Sequence, residues 1–210
     1  MSSFEKTTRN TVKRIPKRGH YDKETIFKIL DAGFVCHVSF LMGEQPFIIP
    51  TAYGRIDDKL YFHGATTSRM IGNLEKGFKA TVAVTHIDAL VLARSAFHHS
   101  MNYRSVIAFG SAKPVEVERK EIALKAISDQ ILKGRWEQTR PPNEKELKAT
   151  TVLEFTIEEA SAKIRAEGVN DDKEDYALPY WAGLIPIETK FGNPINDERL
   201  LEGVEFGNGY

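Results

Sequence analysis

The strand-like runs of this chain follow one another without the regular strand–helix alternation that a parallel sheet requires, and this ordering constrains the fold more than any other feature. Residues 34–41, 46–55, 59–64, 79–85, 89–97, 103–117, 151–156 and 161–167 are rich in β-branched and aromatic side chains and are separated by turn-forming residues. Helical patterning is confined to a few places. Asp22 can cap a helix carrying Ile26, Phe27, Ile29 and Leu30 on one face, with Gly33 as its stop. A short helix is expected over 66–76, ended by Gly77, and a longer one over 118–132 with Ile122, Leu124, Ala126, Ile127 and Ile131 inward. Asn143 caps a last short helix over 144–148. There is no G-x-G-x-x-G, no P-loop and no internal repeat, which argues against a Rossmann layout.

Two local signals refine the picture. Asp57-Asp58 predicts a tight hairpin turn in which Ile56 faces Lys59 and Ala52 faces His63. Gly110 lies inside a long strand, where a barrel strand could bend.

Composition limits the partners. Lys plus Arg and Asp plus Glu both number 29, so the net charge is zero and nothing electrostatic favours nucleic acid or an anionic membrane. A single cysteine, Cys36, excludes an intrachain disulfide and a cysteine-based zinc site. The basic start carries no apolar run and no stretch reaches transmembrane length, so the expectation is a soluble cytoplasmic protein. The organisation reads as a basic arm over 1–20, either mobile or packed on a second subunit, a domain over 21–187, and a polar tail over 188–210.

The chemistry concentrates in residues 48–69, where two strands and a tight turn lead into a hydroxyl-rich loop and a helix start. Thr66, Thr67 and Ser68 supply hydroxyl donors and Arg69 a fixed, fork-shaped cation, a set suited to a terminal phosphate. Pro50 lacks an N–H and interrupts sheet pairing, so the neighbouring backbone can turn toward a ligand.

The runs Leu60-Tyr-Phe-His-Gly-Ala65, Ser68-Arg69, Tyr103-Arg-Ser-Val-Ile-Ala-Phe-Gly110 and Trp181-Ala-Gly-Leu-Ile-Pro186 together resemble the nitroimidazole-reductase-related branch of the pyridoxamine 5′-phosphate oxidase-like flavoproteins over roughly residues 15–187. The resemblance implies a mainly β fold with helices, a six-stranded, Greek-key-like split β-barrel holding FMN at a homodimer interface. It implies that Ile49, Pro50, Thr51 and Ala52 pass beside the isoalloxazine ring and that His63 lies close to the flavin. Ser68 and Arg69 would hold the phosphate, beside the hydroxyls of Thr66 and Thr67 noted above. Tyr103, Arg104, Ser105, Val106 and Trp181 would line the site, some from the other subunit. Flavin-mediated reduction of a small molecule follows, with NAD(P)H as a candidate electron donor. The full basic-residue pattern of true pyridoxamine-phosphate oxidases is not matched, which argues against vitamin B6 oxidation.

Each of these residues also has a plainer reading. His63 can be a barrel histidine with a satisfied hydrogen bond, and Arg69 a solvated first-turn residue, although a cation there opposes the helix dipole unless an anion is near. His98 and His99 are adjacent, so in a strand they point to opposite faces and do not share a metal. The acidic run from Asp171 to Asp175 reads as a solvated loop without ligand spacing, so no metal is expected. Trp181 can anchor the tail, and Cys36 is an inert core residue. Three function classes stand: an FMN-dependent oxidoreductase, a flavin- or haem-binding carrier or sensor without turnover, and a split-barrel interaction module without cofactor.

Overall fold

The computed structural model describes residues 2–207. Its strands are β1 (Gly19–His20), β2 (Val35–Met42), β3 (Gln45–Ala52), β4 (Gly54–Ile56), β5 (Lys59–Ala65), β6 (Lys79–Leu92), β7 (Ser100–Pro114), β8 (Thr150–Arg165) and β9 (Gly183–Pro186). The α-helices are α1 (Lys23–Asp31), α2 (Arg69–Leu74), α3 (Lys120–Ile131) and α4 (Glu144–Ala149). The strands form one sheet in the order β3-β2-β6-β7-β8-β5-β4, with β1 added to β8 and β9 to β6. The six longer strands make the expected split barrel, and β1, β4 and β9 are short additions.

Period-two alternation builds the core. Cys36, Val38 and Phe40 of β2 are buried, whereas Val35 and His37 are exposed and Ser39 is half-buried. Val82 and Val84 of β6, Val106 and Ala108 of β7, and Phe155, Ala160 and Ala162 of β8 complete the same interior. Helix α1 closes one end with Ile26, Ile29 and Leu30, and the Asp22 carboxylate accepts from the Thr25 N–H at 2.8 Å, as its capping position predicts. A second, smaller cluster of Tyr61, Val115, Ala123, Ile127 and Val152 joins α3 to the outside of β5 and β8.

Strands β3 and β4 are one run bent at Tyr53, and this bend corrects part of the expected register. Ile56 does face Lys59, with Asp57 in the left-handed region at φ 54°. Ala52 faces Val35 rather than His63, and His63 faces Val152. The cause is Tyr53, whose N–H donates to the Phe34 carbonyl and whose hydroxyl donates to the Leu30 carbonyl, so β3 stays with β2 before the chain crosses to β5.

Other boundaries differ as well. The expected breaks inside 79–97 and 151–167 are absent. Lys79–Leu92 is the single strand β6, with a register shift at Asp88, and Thr150–Arg165 the single strand β8, with one opposite Phe109 and Gly110; residues 93–97, expected in a strand, lead instead into a short 3-10 turn. Gly110 is required there, since a Cβ on it would lie 1.9 Å from the Thr156 carbonyl oxygen. Helix α3 seats Ala123 and Ile127, one turn apart, so Ile122 and Ile131 remain exposed rather than inward.

The described part of the basic arm packs on this chain's own barrel. Phe4 and Asn10 are buried, Arg9 pairs with Glu159 at 2.6 Å, and Arg18 pairs with Glu167. Within the tail, Phe191 stacks on Phe34 with ring centres 6.4 Å apart. Residues 1 and 208–210 of the expected arm and tail lie outside the described residues.

Candidate functional site

The bend at Tyr53 leaves a seam. Strand β3 pairs on one side only, with β2, and β5 beyond Tyr61 pairs only with β8. The residues 49–52 and 62–65 therefore border a gap in which backbone N–H and C=O groups are not used by the sheet. Side chains on β3 alternate. Ile49 and Thr51 register with Val38 and Cys36 on the barrel side, while Pro50 and Ala52 register with His37 and Val35 on the outer side.

His63 projects from β5 beside Val152 and is exposed on its free side, yet enough protein crowds the ring to lower its pKa by desolvation. No hydrogen bond to its ring is formed within the described residues. Tyr61, two residues back on the same side, hydrogen bonds to Glu154 at 3.0 Å. Burial, together with that bond, pushes its phenol to about 12.

Gly64 lets the following loop sit close. A Cβ there would meet Ile71 Cγ1 at 2.9 Å, so only glycine allows α2 to lie against β5 at this point. The Ser68 N–H donates to the Ala65 carbonyl at 2.8 Å, which tightens the turn. Ser68 occupies the N-cap position of α2 in an extended conformation, but its side chain makes no capping bond. Thr66 and Thr67 are exposed and Ser68 is half-buried. Arg69 is exposed and makes no ion pair within the described residues; its guanidinium lies over the Phe47 ring, 5.3 Å from the centre. Phe47 in turn stacks on its cross-strand partner Phe40 at 5.8 Å and 14°. Asn73 ties α2 to the same hairpin by donating to the Leu41 carbonyl at 3.1 Å.

The structure thus gathers Ile49, Pro50, Thr51, Ala52, His63, Thr66, Thr67, Ser68 and Arg69 around one seam. It does not bring Tyr103, Arg104, Ser105, Val106 and Trp181 to that place within one chain. Strand β7 lies three positions across the sheet from β3 and two from β5, about 14 Å and about 10 Å at the usual spacing. Alternation also divides the group. Tyr103 and Ser105 register with Ile87 and Thr85 on the outer face, whereas Val106 is fully buried in the core. Arg104 is held by Asp88 in a two-pronged ion pair at 2.8–3.2 Å. Trp181 is 65% exposed, with its indole packed over Gly183 at the start of β9.

Sequence reasoning misses one feature of this region, Phe47, and misreads two elsewhere, Asp171 and the surroundings of His98. Phe47 carries no motif; its contact with Arg69 arises only because α2 folds back over the β2–β3 hairpin. Asp171 is buried rather than solvated. Burial works against its charge, but the N–H groups of Arg94 and Ser95 and the Arg94 guanidinium outweigh this and lower its pKa. His98, Asp172 and Asp175 bring one potential ligand atom each within 4.8 Å of one another, a proximity that depends on two loops meeting. A cavity of about 540 Å³ between the end of α3 and the tail, lined by residues such as Arg135, Ile195 and Phe206, contains none of the seam residues.

An antiparallel barrel split along one seam, with a hydroxyl-rich turn at the seam's end and an arginine there that makes no ion pair within the described residues, defines the class as a split-barrel protein. The family model described as pyridoxamine 5′-phosphate oxidase matches residues 22–164, and the chain belongs to that family. The chain is 39% identical to the flavocytochrome Anf3 from Azotobacter vinelandii, with 96% of this chain and 94% of that one covered and a TM-score of 0.88. It is 31% identical to the FAD and heme binding protein from Mycobacterium smegmatis, covering 90% and 94% with a TM-score of 0.87. No curated protein sequence matches the chain. Among the described residues, no helix is long and apolar enough to cross a membrane.

Proposed function

We propose that this chain is a flavin-binding oxidoreductase that uses FMN to reduce a small molecule, with NAD(P)H as the electron donor. One observation carries the reading: the unpaired guanidinium of Arg69 stands over Phe47, at the beginning of the same strand whose free edge borders the seam. From Phe47 to Thr51 the strand rises about 13 Å at 3.3 Å per residue, so a phosphate at Arg69 leaves the ribityl chain room to reach residues 49–52. The hydroxyls of Thr66, Thr67 and Ser68 add donors to the same phosphate. The backbone of Ile49–Ala52 meets the polar edge of the ring, and His63 stands at its side as a neutral imidazole. Bound flavin supplies hydride or electron transfer; the chain supplies anchoring, orientation and exclusion of water.

A second copy completes this site. The outer sheet face exposes Val35 at 47%, Ile48 at 64%, Leu41 at 56% and Ile107 at 36%, an apolar area more fitted to a partner than to water. In a homodimer Tyr103, Ser105 and Trp181 of one chain line the seam of the other. The reading includes a cytoplasmic location.

The haem-containing neighbours support a second reading, in which haem accompanies or replaces FMN, and in which FAD takes the FMN position. His63 suits an iron ligand, because its lowered pKa keeps a ring nitrogen free for coordination. The visible spectrum of the purified protein decides. Bands near roughly 370 and 450 nm are expected for flavin and a Soret band for haem. Bleaching by NAD(P)H without oxygen separates an oxidoreductase from a carrier, and a colourless protein that takes up neither cofactor rejects both readings.

A further inference from the structure

Arginine side chains in this structure are mostly fixed by carboxylates: Arg9 by Glu159, Arg18 by Glu167, Arg55 by Asp31, Arg94 by Asp171, Arg104 by Asp88 and Arg140 by Glu146. Of these, Arg9, Arg55 and Arg94 also lie over an aromatic ring, so Arg69 differs in having a ring contact with no carboxylate beside it within the described residues. Its guanidinium lies over the Phe47 ring, and that ring is backed by Phe40, which is only 3% exposed. Two further contacts fix the geometry from below. Asn73 joins α2 to the Leu41 carbonyl, and Gly64 lets Ile71 approach β5. An aromatic face attracts the cation without using its N–H donors, whereas a carboxylate would occupy them. The support is therefore one that orients a guanidinium and leaves its fork available to an anion.

We propose that Phe47 is the positioning residue of this site and sets its preference for a phosphorylated flavin over riboflavin. The inference rests on the reading that Arg69 holds the flavin phosphate. Phe47 itself need not touch the ligand. Its ring, stacked on Phe40, holds the guanidinium over one face and reduces the ordering that phosphate binding would otherwise require. A neutral ribityl terminus gains little from that restriction, so the effect of Phe47 is specific to the charged ligand.

The test is the ratio of FMN to riboflavin affinity, measured by flavin fluorescence quenching on the full chain. Phe47→Leu is expected to lower FMN affinity about fivefold, the scale of a partly exposed cation–aromatic contact, and to leave riboflavin affinity within about twofold. Phe47→Tyr keeps the face and is expected to restore the ratio. With Arg69→Ala already present, Phe47→Leu is expected to change the ratio no further. Should Phe47→Leu fail to fold, Arg69→Lys with Phe47 intact keeps the charge, loses the flat stack, and is expected to reduce the ratio in the same direction. A wild-type ratio in Phe47→Leu or Arg69→Lys, or a loss in Phe47→Tyr equal to that in Phe47→Leu, overturns the inference. Equal affinity of the wild-type protein for FMN and riboflavin instead overturns the underlying phosphate assignment.

Discussion

His63 lies directly opposite Val152 in the β5–β8 ladder, so its imidazole is crowded by an aliphatic neighbour and not by an ionic one. Desolvation without a compensating charge lowers its pKa below the ordinary imidazole value. The neutral form is favoured in the fold. That contribution is fully present above the unfolded value of about 6.5 and is lost as pH falls through the folded pKa. Thermal unfolding followed from pH ~7 to ~5 is expected to show a steeper loss of Tm in the native protein than in His63→Gln.

Arg69→Ala is expected to weaken FMN binding by about 1.5–3 kcal/mol, the scale of a charge-assisted hydrogen bond. The protein's thermal stability should change little, because Arg69 is exposed and makes no ion pair within the described residues. Titration calorimetry on both proteins checks the first statement, and an unchanged affinity would remove Arg69 from the phosphate role.

Glu154 carries the buried charge network beside the seam. Burial would raise its pKa, but hydrogen bonds from Lys59 at 2.8 Å and Tyr61 at 3.0 Å outweigh burial and lower it. A depressed carboxyl stabilises the fold above its unfolded pKa, and this is lost as pH falls through the folded value. Lys59→Ala should cost about 1.5–3 kcal/mol at neutral pH in urea unfolding, with a smaller penalty in acid.

Burial pushes the Cys36 thiol up to about 12, so almost no thiolate exists in the folded protein near neutrality. Iodoacetamide is expected to leave the native chain unmodified and to alkylate it fully in denaturant. Rapid native-state alkylation would contradict the placement of Cys36 in the core.

Much of the fold is legible in the sequence because its signals are local. The strand over 34–41, the Asp22 cap and the turn at Asp57 with Ile56 facing Lys59 all appear in the structure. The long strands β6 and β8 are not legible as single strands, because Asp88 reads as a turn residue and the β-branched and aromatic pattern lapses between 156 and 161. In the structure these places are register shifts that leave each strand continuous. The bend at Tyr53 had no sequence signature, since its cause is a pair of hydrogen bonds to residues 30 and 34. Within the candidate site, residue chemistry alone singles out the hydroxyl-rich segment 66–69, and the structure places it at the seam's end beside Phe47. The alternation rule already separates Val106 from Tyr103 and Ser105. Phe47 was not legible, because its role depends on where a distant helix lands.

The most direct measurement is a titration of FMN into the purified, folded protein, followed by the quenching of flavin fluorescence and by the oligomeric state of the complex. The account predicts saturable quenching by a dimer, with release of flavin when that dimer is diluted to monomer. A folded protein that leaves FMN fluorescence unchanged at every concentration would contradict flavin binding, and flavin retained on a demonstrated monomer would contradict the shared site.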